Sequence, residues 1–406
     1  MLKKLLTRLL EPRHYWRTVG FSELAELYAN RLLRIVAVNM VSGVLGIFMF
    51  QLGYELWSIF AFFTVYFFIR GLWTIPSAYL IGRIGPKHGS LISNVLCIPA
   101  LIALTQLEHL GWSALIFYAV VQSFCVSLYS ISHHVNFSKI KHNDHAGKEL
   151  SFMYIIEKIG AGLSPLLGGI IAYLFGPEMT IWAASVVFLI AAGPLFLSPE
   201  PVMTHQKVIF RGLGIRRIWR QLVSMNGIGA DFMASTVTWS LYIAIAIFGT
   251  TSNIVYAQIG GLMSIAFVAS LLFSKIYGRI IDKSRGGELL KISAVANSAI
   301  HLIRPFIATP LGIAGVNIVN EAATVGYAMP YLKGQYDMAD NLPGYRIAYT
   351  ALMEAAICSG AALFGAFATL SVLLIGDVRG MQLSYVFLAL FVLVIMVHRF
   401  PALRRA

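Results

Sequence analysis

Seven charged side chains, Arg70, Glu157, Lys158, Asp231, Arg304, Glu321 and Glu354, fall inside long apolar stretches of a 406-residue chain. A charge taken into hydrocarbon is costly unless it is paired or hydrated. Three of the seven are positive and four negative, so two readings stay open for each: a static ion pair, or a group that handles a proton or a charged cargo. Asp231 and Glu321 are the carboxylates carried forward for the second role, because a carboxylate that is alternately dry and hydrated changes its protonation. At about 1.5 Å per residue, Arg70 and Glu321 lie near the middle of their stretches, and Asp231 and Glu354 roughly 12 Å from the start of theirs. Arg304 stands at the end of a stretch, where a long side chain can snorkel to the polar boundary. His133 and His134 close another stretch and are expected to anchor at the interface.

These residues need elements that hold them at depth. Hydrophobic residues make up 58% of the chain and charged residues 12%, and the mean hydropathy is +0.75, which excludes an ordinary soluble domain. A hydrocarbon core about 30 Å thick needs about 20 apolar residues per helix. Twelve such spans are predicted, near residues 32–53, 57–81, 90–107, 112–137, 150–175 and 179–197, and again near 223–249, 254–277, 289–308, 310–332, 346–375 and 381–398. The fold class is therefore all-α and membrane-spanning. Two six-helix bundles, 32–197 and 223–398, are joined by a basic linker at 198–222, preceded by a basic segment at 1–31 and followed by a tail at 399–406.

In the first segment Leu2, Leu5, Leu6 and Leu9 share a helical face opposite Lys3, Lys4 and Arg8, a pattern that lies on a membrane surface. In the linker Arg211, Arg216, Arg217 and Arg220 alternate with Ile215, Ile218 and Trp219 and read as a second surface-lying helix. Of the 31 Lys and Arg, 27 belong to the basic segments and loops, counting those at the adjoining span ends, Arg379 alone falls in the alternate loops, and Arg70, Lys158 and Arg304 lie within spans. The positive-inside rule then puts both termini and the linker in the cytoplasm, with the plasma membrane as the expected location. The net charge of +13 reflects these loops rather than nucleic-acid binding. Cys97, Cys125 and Cys358 lie in apolar runs without metal-ligand spacing and read as reduced packing residues. Pro76, Pro99, Pro165 and Pro194 are breakers that membrane helices tolerate, and Gly260, Gly261, Gly360 and Gly365 are small enough to let backbones approach.

A glycine-bounded basic turn follows the second span (Ala78, Gly82, Arg83, Gly85, Lys87) and recurs after the eighth (Gly278, Asp282, Lys283, Arg285, Gly286). With the six-plus-six spans and the basic linker, it resembles the major facilitator superfamily. That family's turn runs glycine, three residues, aspartate, a basic residue, one residue, glycine and two basic residues. Gly82 stands where the first copy would carry the aspartate, so Asp282→Asn is expected to impair transport more than Gly82→Ala. The stretch from Gly160 to Gly169, with Ser164 and Pro165, is similar to the glycine-proline motif of the family's antiporters, and is equally a small-residue packing face. Ala119, near Gln122, stands where efflux members often carry an arginine.

The resemblance implies that the first, fourth, seventh and tenth spans line a central cavity. Asp231 and Glu321, with Asn39, Gln122, Trp239, Asn317 and Asn320, would then line the substrate and proton pathway. Arg70, Glu157, Lys158, Pro165 and Glu354 would gate or brace the seam between halves. The function implied is alternating-access secondary transport of a small molecule, possible as proton-coupled efflux, by a monomer embedded in lipid and without a cofactor. A lipid flippase and a non-transporting sensor or assembly protein of the same fold are the alternatives. The chain has no phosphate loop, His-Glu-x-x-His motif or Gly-x-Ser-x-Gly elbow, and is not expected to be an enzyme.

Overall fold

The computed structural model describes residues 21–140, 146–196, 204–249, 252–282 and 285–403. Twelve long helices account for most of them: α1 (Phe21–Gln51), α2 (Leu56–Ile84), α3 (Pro86–Thr105), α4 (Trp112–Ile140), α5 (Ala146–Phe175), α6 (Pro177–Ala192), α7 (Ile215–Phe248), α8 (Ile254–Asp282), α9 (Gly286–Ile303), α10 (Pro310–Asp340), α11 (Arg346–Ile375) and α12 (Asp377–Val392). Ten are long and apolar enough to cross a membrane. The other two, α9 and α10, carry polar residues that face inward, among them His301, Asn317 and Asn320.

The halves repeat their turns. Gly85 (φ 89°) ends α2 before Pro86, and Gly176 (φ 90°) and Gly376 (φ 96°) make the matching sharp turns after α5 and α11. A residue with a Cβ would be strained at these angles. Pro76, Pro99 and Pro165 lie inside α2, α3 and α5, and Pro194 in the short turn after α6.

Two seams join the halves, α2 against α11 and α5 against α8. At the second, a Cβ on Gly260 would strike the Pro165 carbonyl, and one on Gly169 the Tyr256 carbonyl. Backbones in this seam are in direct contact, and only glycine permits that. Gly360 meets the Asn226 carbonyl, and Gly365 meets Thr64 and Met233. Gly261 faces open space instead, so the small-residue reading holds at three of its four positions.

One end of the bundle, which holds the start of α1 and residues 399–403, is tied together by its turns. Lys87 Nζ reaches Glu26 at 3.1 Å, Gln221 donates to the Arg399 carbonyl at 3.0 Å, and Arg346 spans from Asp340 (2.7 Å) to Ser138 on α4 (3.2 Å). The linker segment 204–214 docks here, its Gln206 amide donating to the Gly82 carbonyl at 2.7 Å and its His205 amide to that of Arg83 at 3.1 Å. Two boundaries move. The separate surface helix expected around Arg216, Arg217 and Arg220 is the opening of α7, and Phe21–Arg31 belongs to α1, because both runs continue the helix that follows them without a breaker. The pattern at Leu2 to Leu9 lies outside the described residues.

Candidate functional site

Between the halves lies a cavity of about 210 Å³. From the first half come Asn39, Ser42 and Val44 on α1 and Ala161, Pro165 and Gly169 on α5. The second half supplies Ser235, Thr236 and Trp239 on α7, Arg304 beyond α9, and Asn317, Asn320 and Glu321 on α10. Ala234–Thr238 is a π-helical turn inside α7; such turns recur at functional sites, and this one puts Ser235, Thr236 and Trp239 on the wall. The Trp239 indole N–H donates to Asn317 Oδ1 at 2.7 Å, and Asn320 Oδ1 accepts from Asn297 at 3.2 Å.

Behind this wall, a polar relay runs through the second half. Asp231 is 2% exposed. Its Oδ1 accepts from His301 Nε2 at 2.8 Å and from the Ser235 hydroxyl at 3.2 Å, and its Oδ2 accepts from the Tyr327 hydroxyl. Arg304 Nη1 donates to His301 Nδ1 at 3.2 Å and to Ser235 Oγ at 3.1 Å. The acceptor role at Nδ1 assigns the ring proton to Nε2, which faces the carboxylate. Arg304 is thus 1% exposed and lies 4.8 Å from the centre of the Trp239 ring. The snorkelling expected of it is overturned, since Trp239, Tyr385 and the relay give the guanidinium an internal solvent. His301 was not singled out in the sequence, although Asn297, His301 and Arg304 follow at helical spacing on one face of α9.

Among the described residues, two ion pairs cross from one half to the other. Lys158 on α5 pairs with Glu321 on α10, beside the cavity, and Arg70 on α2 pairs with Glu354 on α11. Ser130 on α4 also donates to Glu354, at 2.7 Å. Glu157 does not cross, because Arg31 on α1 of its own half takes it at 2.6 Å, with His133 at 3.7 Å. Gln122 is buried on α4, off the cavity wall, and its Oε1 has no partner among the described residues. His133 is buried, and His134 Nδ1 bonds the Tyr336 hydroxyl of α10 at 2.7 Å. These histidines connect helices inside the bundle instead of anchoring at its interface.

Arg34, on α1, is 2% exposed. It donates to Asn94 Oδ1 and to the Cys125 carbonyl at 3.4 Å, and lies 3.9 Å from the centre of the Tyr129 ring. Cys97, Cys125 and Cys358 are free and buried. At the turns, Arg83 is exposed, Gly278 lies within α8, and Arg285 pairs with Glu288 at 3.1 Å. The Asp282 side chain and Lys283 lie outside the described residues and side chains.

Residues 27–365 match the family model of the Major Facilitator Superfamily. The chain belongs to this superfamily. Its members are transporters rather than enzymes, and the chain is a multi-pass membrane transporter of that fold. Solved structures agree on the architecture. The Escherichia coli fucose:proton symporter FucP superposes with a TM-score of 0.65 at 13% identity, over 93% of this chain and 98% of that one. A structure of FucP in the outward conformation gives the same score and identity over 92% and 97%. The human organic anion transporter MFSD10 (TETRAN) gives 0.69 at 10% identity, over 92% and 98%. No curated protein sequence matches. At these identities the likeness is one of fold.

Proposed function

We propose that this transporter is a proton-coupled secondary carrier of a small molecule, that it works by alternating access at the cavity between its halves, and that Asp231 with His301 is its proton-handling group. The observation that supports this most is the continuity of the relay: a buried carboxylate bonded to an imidazole, which is bonded to an arginine on the cavity wall. A proton gained or lost at Asp231 or His301 changes the electrostatics of Arg304 directly. The crossing pairs Lys158–Glu321 and Arg70–Glu354 act as latches, so Glu321 serves the seam and Asp231 the proton. Both termini and the linker face the cytoplasm on this reading, by the charge of the loops.

The efflux direction expected from the fifth span rests on Gly160 to Gly169, and that stretch is also seam surface, with Gly169 and Pro165 against α8. Flux measured in proteoliposomes with a pH gradient of either sign gives the direction. The same assay on Asp231→Asn and Glu321→Gln tests the coupling. Loss of gradient dependence in Asp231→Asn, with exchange retained, is expected; gradient dependence unchanged in Asp231→Asn refutes Asp231 as the proton-handling group, and flux indifferent to the gradient in the unaltered protein refutes proton coupling. Flux of labelled lipid alone would favour the flippase alternative, and a protein without any flux the sensor.

A further inference from the structure

We propose that the cavity receives a small organic anion, its carboxylate held by the Arg304 guanidinium and its apolar body lying against Trp239. This rests on the reading of the cavity as the transport site.

Arg304 is more than nine-tenths buried, yet it lines the cavity. Its two bonds, to Ser235 and His301, both leave from Nη1, and its Nε has no hydrogen-bond partner among the described residues. A guanidinium has five donors in a planar fork, the geometry that matches a carboxylate. The negative charge nearest in the relay, Asp231, is reached only through His301 or Ser235. Glu321, the acidic group on the cavity wall, is already paired with Lys158. Asp231 faces Arg304 from the relay side and offsets part of its charge, and the donors not spent on Ser235 and His301 are what the cavity is offered, which favours an anion over a cation or a neutral molecule.

The neighbours fit the rest of such a ligand. Trp239 is held by its bond to Asn317 and lies close to the guanidinium, so an apolar body has a fixed aromatic surface beside the charge. Asn320 spends its carbonyl oxygen on Asn297, which leaves its NH2 as a second donor on the wall.

Binding also reaches the proton site. A carboxylate on the fork draws Nη1 away from His301 Nδ1, and that nitrogen becomes free to accept a proton. The titratable and charged groups around His301 are Asp231 from α7, itself bonded by Tyr327 from α10, Tyr385 from α12, its ring stacked at 6.3 Å, and Arg304 from its own segment. Anion and proton then occupy the site as a pair that carries no net charge.

The test uses the full chain in detergent micelles with acetate, lactate and benzoate, and with benzyl alcohol and benzylamine as matched neutral and cationic probes. Thermal stabilisation reports binding, and tryptophan fluorescence reports approach to Trp239. At least one anion is expected to stabilise the protein, benzyl alcohol and benzylamine are not, and Arg304→Gln should weaken the anion at least tenfold while Arg304→Lys restores part of the loss. Trp239→Phe keeps Arg304 and should remove most of the anion-induced fluorescence change, which covers the case in which Arg304→Gln fails to fold. Stabilisation by none of the three anions, equal stabilisation by benzylamine or benzyl alcohol, or anion affinity unchanged in Arg304→Gln overturns the proposal. Carriage of a neutral or cationic probe would leave the transport reading standing and remove this one; anion binding without flux of anything would do the reverse.

Discussion

Replacing Glu354 with glutamine strands Arg70 in the seam. The Arg70 side chain is 11% exposed and that of Glu354 6%, so solvent screens the pair little. Opposite charges about 4 Å apart at an effective dielectric constant of about 20 attract by about 4 kcal/mol. Breaking a buried pair from one side costs about 3–5 kcal/mol, because the remaining charge keeps its desolvation penalty without its partner. Replacing both members by neutral groups removes the penalty together with the attraction and is often close to neutral. Glu354→Gln and Arg70→Gln should therefore each lower the melting temperature of the full chain by on the order of 10 °C, at roughly 2–4 °C per kcal/mol for a half of this size. The double variant should recover most of that. A double-mutant cycle on four proteins in the same detergent, scanned at the same rate, measures the coupling. A double variant that loses the sum of the two single losses would show that the groups act independently and would refute the latch.

Two further outcomes follow from backbone contacts. Gly260→Ala puts a methyl group against the Pro165 carbonyl while Gly261→Ala meets open space, so the first should lower thermal stability by at least about 1–3 kcal/mol, as overpacking does, and the second should leave it unchanged; equal effects would remove the seam from the account. Gly82→Ala meets Val208 and, at 2.9 Å, the Gln206 carbonyl, so it should loosen the docked linker and speed tryptic cleavage at Lys207 and Arg211 about tenfold, the equivalent of about 1.4 kcal/mol; an unchanged cleavage rate would reject the docking.

The spans were legible because length and hydropathy are local. A run of about 20 apolar residues has one good solution in lipid, and the twelve stretches read from sequence correspond to the twelve helices. Even the exceptions have local causes: α9 and α10 are the least apolar because they carry side chains for the interior, and α7 starts early because nothing after Gly214 breaks a helix. Asp231, Trp239, Asn317, Asn320 and Glu321 were legible as polar groups at membrane depth. Their partners were not. Lys158 could pair with Glu321, Asp231 or Glu354 on sequence grounds, and Glu157 beside it looked equally able to cross the seam; only the rotation of α5 turns Lys158 toward α10 and Glu157 toward Arg31. Arg34, Arg304 and His301 were hidden for a different reason. At the end of a span, a basic side chain has the same sequence signature whether it reaches out to the interface or folds back onto aromatic rings, and the rings that receive these three, Tyr129, Trp239 and Tyr385, come from other helices.

The two halves share a fold but not a chemistry. Both bury an arginine against an aromatic ring, Arg34 near Tyr129 and Arg304 near Trp239. In the first half that arginine bonds an asparagine and a carbonyl away from the cavity, whereas in the second it stands on the cavity wall at the head of a relay to Asp231. The first half gives the cavity small and neutral residues, Ser42, Ala161, Pro165 and Gly169 among them, and the second gives it its charge and its large aromatic rings. A cargo held by the second half and merely covered by the first needs no strong bond broken on the covering side when the halves move apart. What resists that movement includes the crossing ion pairs, the bonds of Arg346 to Ser138 and His134 to Tyr336, and the glycine contacts of α5 with α8, and all of these can re-form without the cargo. The division assigns recognition to α7, α9 and α10 and assigns the switch between conformations to the seams. Substitutions on the cavity face of the second half should therefore change which molecule binds, and substitutions at Lys158, Arg70 or Gly260 should change how the bound protein redistributes between its states.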